Sequence, residues 1–170
     1  MKRYGKVFLV LALCLCLTLA LAACGGKDSG SSNDSFLGEE VSTDFFDFSI
    51  DSAEVCSSYN DLTASSGNHL VVVEMSIKNT STYSMPMFDN DFQIQWGSGD
   101  EDYAFPVAGS LCADYEIPIN DTATGDLVFE VPSDTKDYSI AFEEYYEDNT
   151  TGETYFIYFT VTEADGKLTA

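Results

Sequence analysis

Positive charge is nearly absent from this chain. Its 170 residues carry seven lysines and arginines against 29 aspartates and glutamates, with one histidine and four prolines. Three of the seven basic residues, Lys2, Arg3 and Lys6, precede every acidic one. Beyond residue 23, four lysines face all 29 carboxylates, a formal charge of −25 for that stretch. So acidic a surface repels phosphate, which argues against electrostatic binding to nucleic acid or to an anionic membrane. The motifs of common catalytic sites are missing too: there is no G-x-S-x-G, HExxH, paired C-x-x-C or phosphate loop. An enzyme is not expected, and neither is a cofactor. After residue 23 no window holds apolar residues at helical spacing, so no long helix is expected.

What is present begins with an apolar run. Val7 to Ala23 carries no charge and follows a positively charged start, the order of a secretory signal peptide. The run is slightly shorter than most membrane-spanning helices, which leaves a retained helix as the other reading. Leu21-Ala22-Ala23-Cys24 resembles the lipobox of bacterial lipoproteins. That resemblance implies cleavage before Cys24 and a diacylglycerol on its thiol, hence a protein exported to the outer face of the cell membrane. Two acyl chains anchor far more firmly than one. Gly25 to Glu40 is rich in Gly, Ser and Asp without a period and reads as a flexible tether, with a reach of roughly 20–24 Å. The expected division is a signal peptide over 1–23, a lipidated Cys24 and tether over 24–40, a folded domain over 41–165 and a tail over 166–170.

The folded part alternates with period two. One face each is shared by Phe46, Phe48 and Ile50; by Val71, Val73, Met75 and Ile77; and by Phe92, Ile94 and Trp96. The same holds for Leu127, Phe129 and Val131; for Tyr138, Ile140 and Phe142; and for Tyr155, Ile157, Phe159 and Val161. Turn signals at Ser65-Ser-Gly-Asn68, Asn79-Thr-Ser-Thr82, Gly97-Ser-Gly-Asp100 and Glu147 to Gly152 separate the runs. Short strands with one apolar face each require two sheets face to face, so the expected fold is all-β, an antiparallel sandwich of about seven strands. Three stretches, "GNHLVVVEMSIKNTS", "DFQIQWGSGDEDY" and "TATGDLVFEVP", resemble the immunoglobulin-like domain of unknown function common in lipoproteins of Gram-positive bacteria. The resemblance covers roughly Phe45 to Val161 and implies an immunoglobulin-like sandwich related to secreted immunoprotective antigens. It brings no catalytic residues with it.

Candidate chemistry is sparse. Export would permit a disulfide between Cys56 and Cys112, worth roughly 4 kcal/mol in a loop of this length; the competing reading is two separate thiols. Asp89 to Asp100 has oxygen-bearing side chains near EF-hand spacing, but Ile94 stands where that loop needs glycine. A looser cation site from Asp89, Asp91, Asp100, Glu101 and Asp102 stays open beside the reading of a solvated acidic face. His69 would need a cysteine beside it for thiol chemistry and is read as structural. If Tyr155 and Ile157 face the core, then Phe156 and Tyr158 point outward, with Tyr145 on the same outer side. Such an aromatic row suits a protein or glycan partner, or simply stiffens the sheet. The expected function is a lipid-anchored, cell-surface binding or interaction module of unknown ligand. The alternative is a structural or accessory lipoprotein that partners a membrane complex and has no ligand of its own.

Overall fold

The computed structural model describes residues 34–97, 101–146, 150–164 and 167–170. The early strands are β1 (Asp34–Phe36), β2 (Glu40–Ser42), β3 (Phe46–Cys56), β4 (Ser58–Tyr59), β5 (Leu62–Thr63) and β6 (Asn68–Asn79). The middle of the chain holds β7 (Met85–Pro86), a single 3-10 turn at Asp89–Asp91, β8 (Phe92–Trp96), β9 (Tyr103–Ala104), β10 (Ala108–Gly109) and β11 (Glu116–Ile117). The last are β12 (Thr122–Pro132), β13 (Asp137–Tyr145), β14 (Thr151–Thr160), β15 (Thr162–Ala164) and β16 (Lys167–Thr169). No α-helix occurs among the described residues.

The strands form a β-sandwich. One sheet runs β1-β14-β13-β8-β9; the other runs β10-β12-β6-β3-β16-β15, with β2 also on β3. All pairings are antiparallel except β1 with β14. The period-two faces meet in the middle. Val71, Val73, Met75, Ile77, Leu127 and Phe129 from the larger sheet and Ile94, Ile140 and Ile157 from the smaller are completely shielded from solvent. Aromatic rings lock the two layers: Phe46 meets Phe142 edge-on at 4.8 Å, and Phe48 meets Phe92 at 5.7 Å. Each such side chain contributes about 1.5–3 kcal/mol by leaving water.

The alternation along β3 does not run straight through. A register shift between Ile50 and Ser52 inserts an extra residue against β6, so the inward positions change from Phe46, Phe48 and Ile50 to Ala53 and Val55. β6 is buried on both sides from His69 to Val73. Its outer residues Leu70 and Val72 join Val128 beneath the β4–β5 hairpin in a second small apolar cluster. This explains why "HLVVV" reads as a continuous apolar run instead of a clean alternation.

The folded unit extends past both expected boundaries. β1 lies in the stretch read as tether, yet it pairs with β14, and the Leu37 amide donates to the Tyr158 carbonyl at 3.2 Å. Leu37 packs on the core while the Phe36 ring rests 6.3 Å from that of Tyr158. The pair Phe36-Leu37 is the only apolar doublet in an otherwise polar segment, and burial of one of its members is what holds β1 in place. At the other end, β16 pairs with β3 and β15, so the expected tail belongs to the larger sheet. Residues 1–33, including Cys24, lie outside the described residues.

Gly125 shows a glycine required by close approach. It sits within β12 opposite Met75, and a Cβ there would come within 2.7–2.8 Å of the Ser110–Leu111 backbone. Gly125→Ala should cost about 1–3 kcal/mol through the forced backbone shift. Chemical denaturation checks this, and an unchanged midpoint would contradict it.

His69 and Tyr138 tie the far end of the sandwich. His69 Nε2 lies 2.7 Å from the Tyr138 hydroxyl, which donates to the Thr135 carbonyl three residues upstream at 2.8 Å. The latter contact has the form of the tyrosine corner of immunoglobulin-like sandwiches. Burial pushes the His69 pKa below its usual value. The folded state therefore binds fewer protons than the unfolded one; the stability is complete above pH about 6.5 and is lost as pH falls through the depressed folded value. Thermal midpoints should fall more steeply on acidification below pH about 6.5 in the native chain than in His69→Gln. Parallel slopes would contradict that assignment.

Candidate functional site

The cysteines do not pair. Cys56 and Cys112 remain thiols, contrary to the disulfide reading. Cys56 ends β3 opposite Leu70 and packs against the outer cluster, whereas Cys112 is buried in the main core. The two thiols thus belong to different apolar clusters. Burial, reinforced by Asp89 and Asp91, pushes the Cys112 thiol up to about 12, which leaves it protonated and inert. His69 is engaged with Tyr138 and not with a thiol. A small cavity of about 190 Å³ adjoins Cys112, lined also by Met87, Leu111, Ile117 and Thr124.

Of the looser cation site left open at Asp89, Asp91, Asp100, Glu101 and Asp102, the structure describes all but Asp100. Among the described residues no three His, Cys, Asp or Glu side chains converge as metal ligands would. Asp89 accepts the Cys112 amide at 3.1 Å, and Asp91 accepts the Phe88 amide at 2.8 Å, capping the 3-10 turn. Asp102 folds over Gly97 in the loop joining β8 to β9, Glu101 is exposed nearby, and Asp100 lies outside the described residues. Asp89 and Asp91 thus each turn an oxygen to a backbone amide.

The aromatic row divides into two groups. Phe156 and Tyr158 point outward from β14, stacked with ring centroids 5.9 Å apart, and Phe36 of β1 joins them. Tyr145 is on the same side of the sheet, 69% exposed, but it pairs with Thr151, five positions along β14 from Phe156. At about 3.4 Å per residue that separation is about 17 Å, too far for one contiguous patch. Tyr145 belongs instead to a second feature, which is concave.

This feature is a cleft of about 730 Å³ at the corner where the smaller sheet runs out. β13 is paired with β8 only from Tyr138 to Phe142, so Glu143 to Tyr145 project past the end of β8. The chain between β6 and β8 bows across the gap and is held away from it, because β7 pairs with β11 and not with either main sheet. Ala141 and Gln93, facing partners across β13 and β8, form the floor with Phe45, Met85 and Met87. Tyr83, Phe105 and Tyr145 stand at the rim, each at least half exposed. Asn90, Asp91, Gln93 and Glu143 supply the polar groups. Burial pushes the Asp91 carboxyl above the usual carboxylate range, opposed by the Phe88 amide and aided by Asp89. A hydrogen bond to Glu143 raises the exposed Tyr145 hydroxyl.

Two buried polar groups brace this corner. Asn79 is completely buried at the end of β6. Its amide nitrogen donates to the carbonyls of Tyr83 (2.9 Å) and Ile117 (2.8 Å), and its amide oxygen accepts from the backbone and hydroxyl of Ser81 at 2.9 and 2.7 Å. It thereby fixes the rim loop carrying Tyr83. Glu144, between Glu143 and Tyr145, points inward and is 1% exposed. Its two oxygens accept from the Asp44 and Glu153 amides at 3.0 and 3.3 Å and from the Tyr155 and Tyr146 hydroxyls at 3.2 and 3.0 Å. The Tyr83 and Phe105 rim was missed in the sequence because neither residue lies in an alternating run. The signal that could have pointed to it is the aromatic and Met content of "TYSMPMF", a non-strand segment richer in apolar residues than a solvated loop needs.

Solved structures of similar shape share the fold at low identity. A protein of unknown function from Listeria monocytogenes superposes with a TM-score of 0.52 at 16% identity, covering 74% of this chain and 83% of that one. A candidate lipoprotein from Bacillus subtilis gives 0.48 at 23% identity, covering 69% of this chain; the match spans 38% of that protein's length. An uncharacterized β-sandwich protein from Clostridium difficile gives 0.42 at 14% identity, over 75% and 93% of the two chains. No curated protein matches the chain. The family model of a domain of unknown function, DUF4352, matches residues 35–151, most of the folded unit and more than half of the chain, which therefore belongs to that family.

Proposed function

We propose that the protein is a cell-surface lipoprotein, anchored by acyl chains on Cys24, whose immunoglobulin-like sandwich binds a ligand in the corner cleft. The anchor reading rests on the Leu-Ala-Ala-Cys sequence after a charged start and an apolar run. The observation that carries the binding reading is the cleft itself: a concave site of about 730 Å³ with an apolar floor, three exposed aromatic rings and a few polar groups. That size and composition suit a small ligand or a single protruding side chain. Large exposed aromatics held in place by buried hydrogen bonds are costly to maintain unless something uses them. Binding is favoured over catalysis, since the Cys112 thiol is held near 12 and the His69 ring is tied to Tyr138.

Because β1 takes up residues 34–36, only nine residues, 25–33, separate Cys24 from the first strand. Cys24→Ala should shift the protein from the membrane fraction to the medium or a soluble pool. A chain that stays in the membrane would overturn the lipid anchor in favour of a retained helix. For the cleft, amide shifts induced by a small-molecule library should cluster at Tyr83, Gln93, Phe105 and Tyr145. Shifts scattered elsewhere would favour the accessory lipoprotein without a ligand.

A further inference from the structure

Building on that binding reading, we propose that the cleft selects an organic ammonium group, a small quaternary or primary amine or the cationic end of a longer molecule. Three observations converge on this class. The rim offers Tyr83, Phe105 and Tyr145, 51%, 50% and 69% exposed, whose ring faces attract cations. Two carboxylates, Asp91 and Glu143, share the cleft with them, and no Lys, Arg or His is among the lining residues. The rest of the chain adds to the same field, with a formal charge of −22.

The alternatives fit less well. An anion would be repelled by both the local pair and the chain as a whole. A neutral ligand such as a sugar could stack on the rings, but it would strip water from two carboxylates and give them no opposite charge in return. Asp91 meets that situation in part: its carboxyl accepts the Phe88 amide at 2.8 Å, partial burial and then Asp89 drive it upward, and no Lys, Arg or His is among the residues lining the cleft. An ammonium group would provide the missing counter-charge while its methyl or methylene groups met the Phe45, Met85 and Ala141 floor.

The test uses a pair of probes that differ in charge alone. The full chain, kept in a non-ionic detergent, is titrated with choline and with its neutral isostere 3,3-dimethyl-1-butanol, reading amide and aromatic shifts. Choline should bind saturably at cleft residues, at least about tenfold more tightly than the isostere, a margin consistent with cation attraction to partly desolvated rings. Glu143→Gln and Asp91→Asn should each weaken choline several-fold and leave the isostere unchanged. Tyr145→Ala should weaken both probes. Because Asp91 also caps a turn, Glu143→Gln, on an exposed position, keeps the test decisive if Asp91→Asn unfolds. Equal affinity for the two probes at the cleft would overturn the ammonium class while leaving the cleft a binding site for uncharged ligands. Shifts from both probes that avoid the cleft would overturn this proposal and the binding reading together.

Discussion

Glu144→Ala should lower stability by about 3 kcal/mol, among the largest effects of any single substitution outside the apolar core. The carboxylate is buried with four donors around it and no basic residue among its partners: two backbone amides, from Asp44 and Glu153, and two tyrosine hydroxyls. Alanine removes the acceptor of the Asp44 amide and of the buried Tyr155 hydroxyl, and a lost partner costs more than a lost bond is worth. Glu144→Gln should fall between. It keeps the volume, but its amide nitrogen must face a donor on one side, so about 1–2 kcal/mol is expected.

A second readout separates this account from simple cavity formation. Burial first, then the Glu144 charge and hydrogen bond, push Tyr155 up to about 12. A raised folded value means stability that is complete below pH about 10 and is lost as pH rises through 12. Ultraviolet titration should show two tyrosines, Tyr155 and Tyr146, both pushed up to about 12 and both bonded to Glu144, ionising late in the native chain and earlier in Glu144→Gln. If both chains titrate alike, Glu144 does not hold Tyr155.

Asn79→Ala should cost a similar amount, again about 3 kcal/mol, or a drop in thermal midpoint of roughly 10–15 °C for a domain of this size. All four hydrogen bonds of the Asn79 amide are satisfied inside the protein, two of them to the Tyr83 and Ile117 carbonyls, the first of which also accepts the Ser81 hydroxyl. Asn79→Asp is the sharper variant. It is nearly isosteric, yet it replaces two donors with an anionic oxygen facing the Tyr83 and Ile117 carbonyls, and it buries a charge whose only donors are the Ser81 amide and hydroxyl, with no basic group among them. The aspartate should therefore be less stable than the alanine. The reverse order would show that shape, and not donation to the rim loop, is what the position requires.

Both positions were half legible in the sequence. Asn79 continues the inward parity of Val71, Val73, Met75 and Ile77, and Glu144 continues that of Tyr138, Ile140 and Phe142. Parity places a residue on a face, but it cannot name a partner thirty-eight or a hundred residues away. The six long strands were legible for the same reason, because a two-residue period is a local property. The bulge at Ile50 was not, since it is a relation between two strands. β1 was hidden by its surroundings: three pairing residues inside a Ser- and Gly-rich segment give no period to detect. The candidate site was the least legible part. Of its rim, only Tyr145 stood out on a strand, and it was grouped with Phe156 and Tyr158 because they share a face. Tyr83 and Phe105 come from loops, and only the pairing of β7 with β11 brings Tyr83 to the corner. The acidic cluster stayed open between a cation site and a solvated face for a related reason, because spacing along the chain does not show that Asp89 and Asp91 are turned to backbone amides.

The corner cleft is where this chain is proposed to meet its partner. Photo-crosslinking in intact cells tests it most directly, with a benzophenone side chain at Tyr145 on the rim and, as control, at the exposed Lys136 at the opposite end of β13. The account predicts a defined adduct from position 145 that excess choline suppresses, and none from position 136. Adducts from 136 alone, or equal adducts from both that choline leaves unchanged, would contradict it.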